Sequence, residues 1–393
     1  MTEKMTYAGV GVKYDTMDTF KRACQKAGLE TSGNITRLNG GEFQEFEASR
    51  GESAYLIEAA KSYLAHVEEG LGTKNRVADI MYTITGKSYY DQIAQCTVAM
   101  IVNDMITVGA LPLSVAMHIA VGISDWFSDE KRTQDLVNGW KKACDLARCV
   151  WGGGETPTLK GLPYPILSGS AMGIVKPKQR LIQGEKIRHG DAIVIIESSG
   201  IHANGLTLAQ EIAKKIAKSH DARWRKFLRF FFPNLVPSKK ALRKAYLTKL
   251  SDARTYGETL LDPTHIYVGL VEDCLNAGVD IHYAVNITGH GWRKLMRATQ
   301  PFTYVIERLP RKLPIFEFIQ QHGPVDDAEA YGNLNMGAGF ALYVPGPDVL
   351  LVLDIAKQLG YHAFYAGDIE RGEKKVVIKP KDLEFTADTL AVR

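Results

Sequence analysis

The chain has 393 residues, 45% of them hydrophobic and 23% charged, the proportions of a globular protein long enough to need about two cores. Its net charge of +4 makes no demand for nucleic acid, and the window Thr97–Ile123, broken by Asn103, Asp104, Pro112 and His118, reads as buried core rather than membrane span. Five cysteines with no Cys-x-x-Cys pair argue against a zinc or disulfide framework and for a reducing cytoplasm, and Met1–Thr6 has no apolar run of the export type.

Phe20, Ala23, Cys24 and Ala27 recur at helical spacing before Gly28, which predicts a short amphipathic helix with a glycine stop, followed by a loop to about Arg50. Ala54–Glu58 and Tyr63–Val67 read as paired strands, the second feeding the turn Glu69-Gly70-Leu71-Gly72-Thr73-Lys74. From Tyr90 to Val108 the residues Ile93, Val98, Ile101, Met105 and Val108 mark a helix centred on Thr97. Asp104 returns to within about 20° of Thr97, in the middle of the apolar stripe. A carboxylate there must be hydrogen-bonded, paired or metal-bound.

A second helix, capped by Ser128, is expected through Leu136, Trp140, Ala143 and Ala147, ending at a loop formed by Gly152-Gly153-Gly154-Glu155-Thr156. Ala192–Ile196 reads as a buried strand, Ser198–Gly205 as the turn after it, and Leu208, Ile212 and Ile216 as the face of the next helix. His202 and Asn204 then sit at the carboxyl end of a strand, where α/β sheets bind ligands. Toward the end, Gly339–Val344 and Tyr361–Ala366 are expected strands around a helix at Val349–Leu359. The fold class is α/β (α+β) in two domains, 51–180 and 181–393, after an extension over 1–50, with the junction in the polar stretch Lys176–Asp191.

The glycine-rich clusters offer what a nucleotide-phosphate site needs: bare N–H groups, a lysine, and carboxylates for Mg²⁺. Gly70–Lys74 is not a Walker A motif and taken alone is equally a plain turn. Three successive glycines cost backbone entropy that an ordinary turn need not bear, which favours a function for Gly152–Gly154. His202 alone would be a structural histidine; with Ser198, Ser199 and Asn204 around it, ligand contact is the preferred reading. The run Lys214–Lys249, with Trp224, Phe227, Phe230, Phe231 and Phe232 among its basic residues, reads as a surface insertion rather than an RNA or membrane contact.

Taken in order, Tyr7-Ala8-Gly9-Val10-Gly11-Val12, Gly70–Lys74, Val98-Ala99-Met100 with Asn103-Asp104, and Gly153-Gly154-Glu155-Thr156 resemble the phosphoribosylformylglycinamidine cyclo-ligase, or AIR synthetase, family. Ser198-Ser199-Gly200 with His202, Asn204 and Gly205, Asp262-Pro263-Thr264 with Ile266-Tyr267-Val268, Ile287-Thr288-Gly289 and Asn335-Met336-Gly337 continue the resemblance over nearly the whole chain. It implies an N-terminal ATP-binding domain whose strands join a partner's in a dimeric barrel, and a C-terminal α/β domain. The implied reaction closes formylglycinamidine ribonucleotide to aminoimidazole ribonucleotide with ATP and Mg²⁺, in a cytoplasmic homodimer that acts on a small molecule and needs neither membrane nor nucleic acid.

The site residues implied are Lys74, Asp104 and His202 for catalysis, and Glu69 with Asp104 for the metal, joined by Asp91 or Asn103. Gly70, Gly72, Thr73, Asn103, Gly153, Gly154, Glu155, Thr156, Ser198, Ser199, Gly200 and Asn204 are expected to hold ATP or substrate. Glu69 and Cys96 each stand where the family has aspartate, Thr158 where it has an acidic residue, His290 where it has glycine and Gly332 where it has arginine. Those departures mark a divergent member. They leave open a related phosphotransferase acting on another small substrate, or a nucleotide-binding homologue without turnover.

Overall fold

In strand β3 (Tyr63–Gly70), Tyr63, Ala65 and Val67 are buried while the alternating Leu64 is half-buried and His66 and Glu68 are exposed, the period of two that buries one face of a sheet. The computed structural model, which describes residues 4–221, 227–228 and 236–390, places β3 inside a six-stranded mixed sheet. Its other strands are β1 (Gln44–Glu45), β2 (Tyr55–Glu58), β4 (Leu111–Ala120), β5 (Val150–Glu155) and β6 (Ile166–Val175), in the order β1-β2-β3-β6-β4-β5. Only the β4–β5 pair is parallel.

Helix α1 (Tyr14–Leu29) precedes this sheet, and α2 (Lys74–Thr85), α3 (Tyr90–Met105) and α4 (Glu130–Leu146) belong to it. Helix α3 approaches β6 closely: a Cβ at Gly173 would stand 2.2 Å from Met105 Sδ. Leu113, Val150, Ile166 and Met172 remain exposed on the sheet's strands.

The second sheet runs β13-β12-β9-β11-β7-β10-β8. Its members are β7 (Ala192–Glu197), β8 (Tyr283–Asn286), β9 (Phe302–Ile306), β10 (Ala338–Val344), β11 (Ala363–Arg371), β12 (Lys375–Ile378) and β13 (Leu383–Thr386). Strands β7, β8 and β10 are buried throughout: β7 and β10 lie inside the sheet and are covered on both faces, and β8, at its edge, is covered by α3 and the Ile106–Val108 turn that follows it. Helix α5 (Leu206–His220) follows β7 through the Ser198–Gly205 turn.

Residues 262–267 of this second unit lie along α3. Gln95 Nε2 donates to the Thr264 carbonyl at 2.9 Å, Asn103 Nδ2 donates to the His265 carbonyl at 2.8 Å, and Asn103 Oδ1 accepts from Tyr267 N–H at 2.9 Å. Helix α3 is thus one of the ties between the two sheets, and residues 176–191 carry the chain between them.

Several local expectations change. Helix α1 begins at Tyr14, includes Gly28, and leaves its apolar stripe largely in solvent, with Phe20 71% exposed. The sequence reading stopped at Lys74 and missed α2, which buries Val77, Ala78 and Met81. Asp129, not Ser128, caps α4: its carboxylate accepts from Arg132 N–H at 3.1 Å, while Ser128 belongs to the preceding 3-10 turn.

Gly152–Glu155 is edge strand β5 rather than a loop, because the missing side chains let it pair tightly. A Cβ at Gly154 would meet the Met117 carbonyl oxygen at 2.2 Å. The last predicted strand begins two residues late and runs on to Arg371. Of the basic segment, Lys214, Lys215 and Lys218 lie on α5, and Lys239, Lys240, Arg243 and Lys244 on the helix Lys239–Tyr246. Arg223, Trp224, Arg225, Lys226, Arg229 and Phe230–Phe232 lie outside the described residues.

Candidate active site at the domain seam

Where β3 ends, its outgoing turn, α3, the Ser198–Gly205 turn, the Thr288–Gly291 turn and the N-terminal segment enclose a cavity of about 460 Å³. Glu69, Asp104 and Lys294 share its lining. Asp104 is buried on α3, and its Oδ1 accepts from Asn286 Nδ2 at 2.7 Å. The buried carboxylate expected from helical periodicity thus has a partner from β8, across the domain seam.

Protein around Glu69 pushes its carboxyl up to about 7, Asp104 adds to that rise, and Lys294 opposes it. Burial likewise pulls the Lys294 ammonium down to about 8 against the attraction of Asp104 and Glu69. Desolvation therefore outweighs attraction on both sides, and each group changes charge within about a unit of neutrality.

The opposite wall is aromatic. The Tyr14 and His290 rings stack with centroids 3.8 Å apart, and Tyr7 lies 6.2 Å from Tyr14 at 18°. Tyr14 Oη accepts from His290 N–H at 3.1 Å. His290 holds a left-handed φ of 65°, a region that costs most side chains about 1 kcal/mol. Burial first, then Lys294, Arg293, Lys21 and Arg297, pulls His290 down to about 3, so its ring is neutral. Arg297 also lines the cavity while its guanidinium donates to Ser53 Oγ at 2.6 Å and to the Gly51 carbonyl at 2.8 Å.

The structure sorts the expected site residues into three places. Glu69, Gly70, Gly72, Thr73, Asp104 and Asn204 line this cavity. Lys74, Asn103, Ser198, Ser199, Gly200 and His202 stand behind it and knit the seam. Lys74 is fully buried, and its Nζ donates to the His202 carbonyl at 2.7 Å and the Asp262 carbonyl at 2.6 Å. That is a different place from the phosphate-facing one expected of it, because two carbonyls already hold the ammonium.

His202 Nε2 accepts from Ser199 N–H at 3.2 Å, burial holds its pKa well below the usual histidine range, and its ring faces His265 and Tyr267. It is a satisfied core histidine in this arrangement. Ser198 Oγ donates to the Gly200 carbonyl at 2.9 Å, and Ser199 Oγ donates to the Pro263 carbonyl at 2.5 Å.

Gly153, Gly154, Glu155 and Thr156 line a separate, shallower hollow of about 330 Å³ with Met117 and Trp151. Strand register relates it to the main cavity. Gly70 pairs with Ser168, Ser168 with His118, and His118 with Glu155, so the two glycine clusters occupy one row, three strand spacings or about 14 Å apart.

For a metal, Glu69 and Asp104 supply two oxygen-bearing side chains, within what Mg²⁺ uses when phosphate and water complete its shell. Among the described residues no group of three or more His, Cys, Asp or Glu converges to hold an ion. Asp91 lies thirteen residues before Asp104 on the same helix, about 20 Å away, and cannot join them. Both polar ends of Asn103 are engaged with the 265–267 segment. Cys96 Sγ accepts from Thr264 N–H at 3.3 Å, so it too belongs to the seam.

At Gly332 the Arg293 guanidinium fills the space, 2.6 Å from where a Cβ would stand. The sequence reading missed Lys21, Lys294 and Arg297, and saw Tyr7 and His290 only as motif positions. The cations Arg293, Lys294 and Arg297 directly after the Thr288–Gly291 turn were the available signal.

The arrangement accords with known proteins. Residues 51–175 match the model of the AIR synthase related protein, N-terminal domain, and residues 188–379 that of the AIR synthase related protein, C-terminal domain. A phosphoribosylformylglycinamidine cyclo-ligase of Carboxydothermus hydrogenoformans is 30% identical over 96% of this chain and 99% of its own length. One from Methanocaldococcus jannaschii is 33% identical over 80% and 81%. The structure of T. maritima PurL complexed with ADP shares the fold at a TM-score of 0.53 and 12% identity, over 88% of this chain and 48% of that one. The two matched models together span most of the chain, and it belongs to the AIR synthase related protein family.

Proposed function

We propose that this chain is an ATP-dependent ligase that closes formylglycinamidine ribonucleotide to aminoimidazole ribonucleotide, a reading supported by relatives named phosphoribosylformylglycinamidine cyclo-ligase. The observation that carries the reading is the paired carboxylate Glu69–Asp104 facing Lys294 in the seam cavity. ADP in the T. maritima PurL structure supports ATP as co-substrate.

Glu69 and Asp104 would hold Mg²⁺, which when bound neutralises phosphate charge. Lys21 and Lys294 supply positive charge for the substrate's phosphate and for oxygen charge that develops in the reaction. ATP phosphorylates the formamide oxygen, turning it into a leaving group. The amidine nitrogen then attacks the formyl carbon and phosphate departs. The closed seam orients the two reacting ends of one small molecule and keeps water out.

The reading extends to a cytoplasmic homodimer formed through the first sheet, whose exposed Leu113, Val150, Ile166 and Met172 offer an apolar surface to a second copy. A second reading, nucleotide binding without cyclisation, is favoured by Cys96, which meets a backbone N–H and brings no carboxylate. The decisive experiment incubates the purified protein with ATP, Mg²⁺ and formylglycinamidine ribonucleotide. ADP together with aminoimidazole ribonucleotide supports the ligase; ADP alone supports a phosphotransferase; neither supports the silent homologue. Asp104→Asn should lower turnover by about 100-fold or more and keep the fold, since the amide oxygen can still accept from Asn286. Full activity in that variant would remove Asp104 from the chemistry.

A further inference from the structure

Two cysteines meet where helix α4 turns into strand β5. In that turn Arg148 N–H donates to the Asp145 carbonyl and Cys149 N–H donates to the Cys144 carbonyl, both at 3.1 Å, with Arg148 at a left-handed φ of 54°. These two bonds around a left-handed residue make a Schellman turn, whose end positions, here Cys144 and Cys149, pack side chain on side chain. The closing bond joins the backbones of the two cysteines themselves. It sets their Cα atoms about 6 Å apart, a separation that a disulfide spans.

The two thiols are unequal. Cys144 is buried, and its side chain is hydrogen bonded to that of the half-buried Cys149. That bond holds the Cys149 thiol below its usual range against the effect of burial. The same bond, and burial after it, pushes the Cys144 thiol well above its usual range. Cys149 is therefore the stronger nucleophile and the one solvent reaches, while Cys144 waits behind it with its proton. Elsewhere, burial and then Asp273 push the Cys274 thiol up to about 12, and Cys96 is held in the domain seam.

The turn between the cysteines carries a tie to the second unit. Arg148 reaches the helix Val268–Asn276, its guanidinium donating to Glu272 at 2.7 Å and to Asp273 at 2.6 and 3.2 Å. We propose that Cys144 and Cys149 form a redox-modification site that small disulfides such as oxidised glutathione convert to an intramolecular disulfide, fixing the turn from which Arg148 ties the two units together. Such a bond suits a reducing compartment, where protein disulfides are transient and responsive rather than structural.

The exchange proceeds in two steps. The Cys149 thiolate attacks one sulfur of the small disulfide, its S–S bond breaks, and one thiolate leaves and takes up the proton Cys149 released. With Cys149 now in a mixed disulfide, Cys144 no longer faces a thiolate. Its sulfur attacks Cys149 Sγ and its proton goes to the second departing thiolate. Two protein thiols are oxidised and one small disulfide is reduced to two thiols.

The test treats the reduced full chain with oxidised glutathione, alkylates the remaining free thiols, and digests with trypsin, which cuts after Arg148 and so separates the two cysteines. The peptides Ala143–Arg148 and Cys149–Lys160 should appear joined, two hydrogens lighter than the separate pair. Cys144→Ser should halt at a glutathione adduct on Cys149, and Cys149→Ser should leave Cys144 unmodified. Oxidation should raise the melting temperature by about 2–4 °C, reversibly with dithiothreitol, and slow hydrogen exchange in Val268–Asn276 as well as in the turn. Two peptides modified separately, a link that forms only in denaturant, or an adduct on Cys144 in Cys149→Ser overturns the site. A link that leaves exchange in Val268–Asn276 unchanged overturns its hold on the second unit. Should a serine variant fail to fold, peptide mapping and exchange on the wild-type chain decide alone.

Discussion

Lys74 and Lys294 each follow a glycine-rich turn, and each stands beside the same cavity, yet their ammonium groups meet different surroundings. Lys74 starts α2 and points into the seam, where the His202 and Asp262 carbonyls accept from it at 2.7 and 2.6 Å. Lys294 donates to Thr288 Oγ1 and shares the cavity lining with Glu69 and Asp104. One cation ties two domains together and the other faces the carboxylates. Motif position alone singles out Lys74, whereas of the two it is Lys294 that shares the cavity with the carboxylates.

The contrast is broken most directly at Lys74. Lys74→Met strands two carbonyls in the seam and should lower stability by about 3 kcal/mol, read as an earlier urea midpoint. A variant of wild-type stability that loses only ATP affinity would return Lys74 to the nucleotide site. Lys294→Met should strike turnover as well, by about 100-fold, and by leaving Glu69 and Asp104 facing each other without their cation it should also cost about 3 kcal/mol near neutral pH.

Glu69 sharpens the comparison through pH. Its carboxyl titrates near 7 when folded and near 4.5 when free, so the folded state holds a proton the unfolded state has released between those values. The Glu69 contribution to stability is therefore present below about 4.5 and lost as pH rises through 7. Relative to Glu69→Gln, the wild-type melting temperature should fall between pH 5 and pH 8 by about 2–4 °C, and Mg²⁺ should diminish that difference. Parallel melting curves for the two proteins would show that Glu69 is not enclosed as described. The smallest effect belongs to Cys96→Ala, which removes a weak sulfur contact to Thr264 N–H and should cost about 1 kcal/mol with turnover within about twofold. A large loss of turnover there would bring Cys96 into the chemistry.

Period and composition made much of the architecture legible. The buried run Ala192–Ile196 is the core of β7, and the stripe through Ile93, Val98 and Ile101 is α3. The position of Asp104 inside that stripe pointed to a carboxylate needing a partner before any partner was visible. These are local properties, set by side-chain alternation at two residues or 3.6.

What escaped depends on residues far apart in the chain. Gly152–Glu155 became a strand because Gly154 can lie against Met117, and Lys74 turned inward because Asp262, 188 residues away, offers its carbonyl. Asp104 found Asn286 across 182 residues, and Tyr14 found His290 across 276. The sequence by itself determined most of the elements, though not α2 or β5, the family motifs and the presence of a carboxylate facing the core. Only the tertiary structure decided which lysine meets the carboxylates, which histidine enters the cavity wall and which glycines line the seam cavity, because hydrogen-bond partners and desolvation arise from contacts that no local pattern encodes.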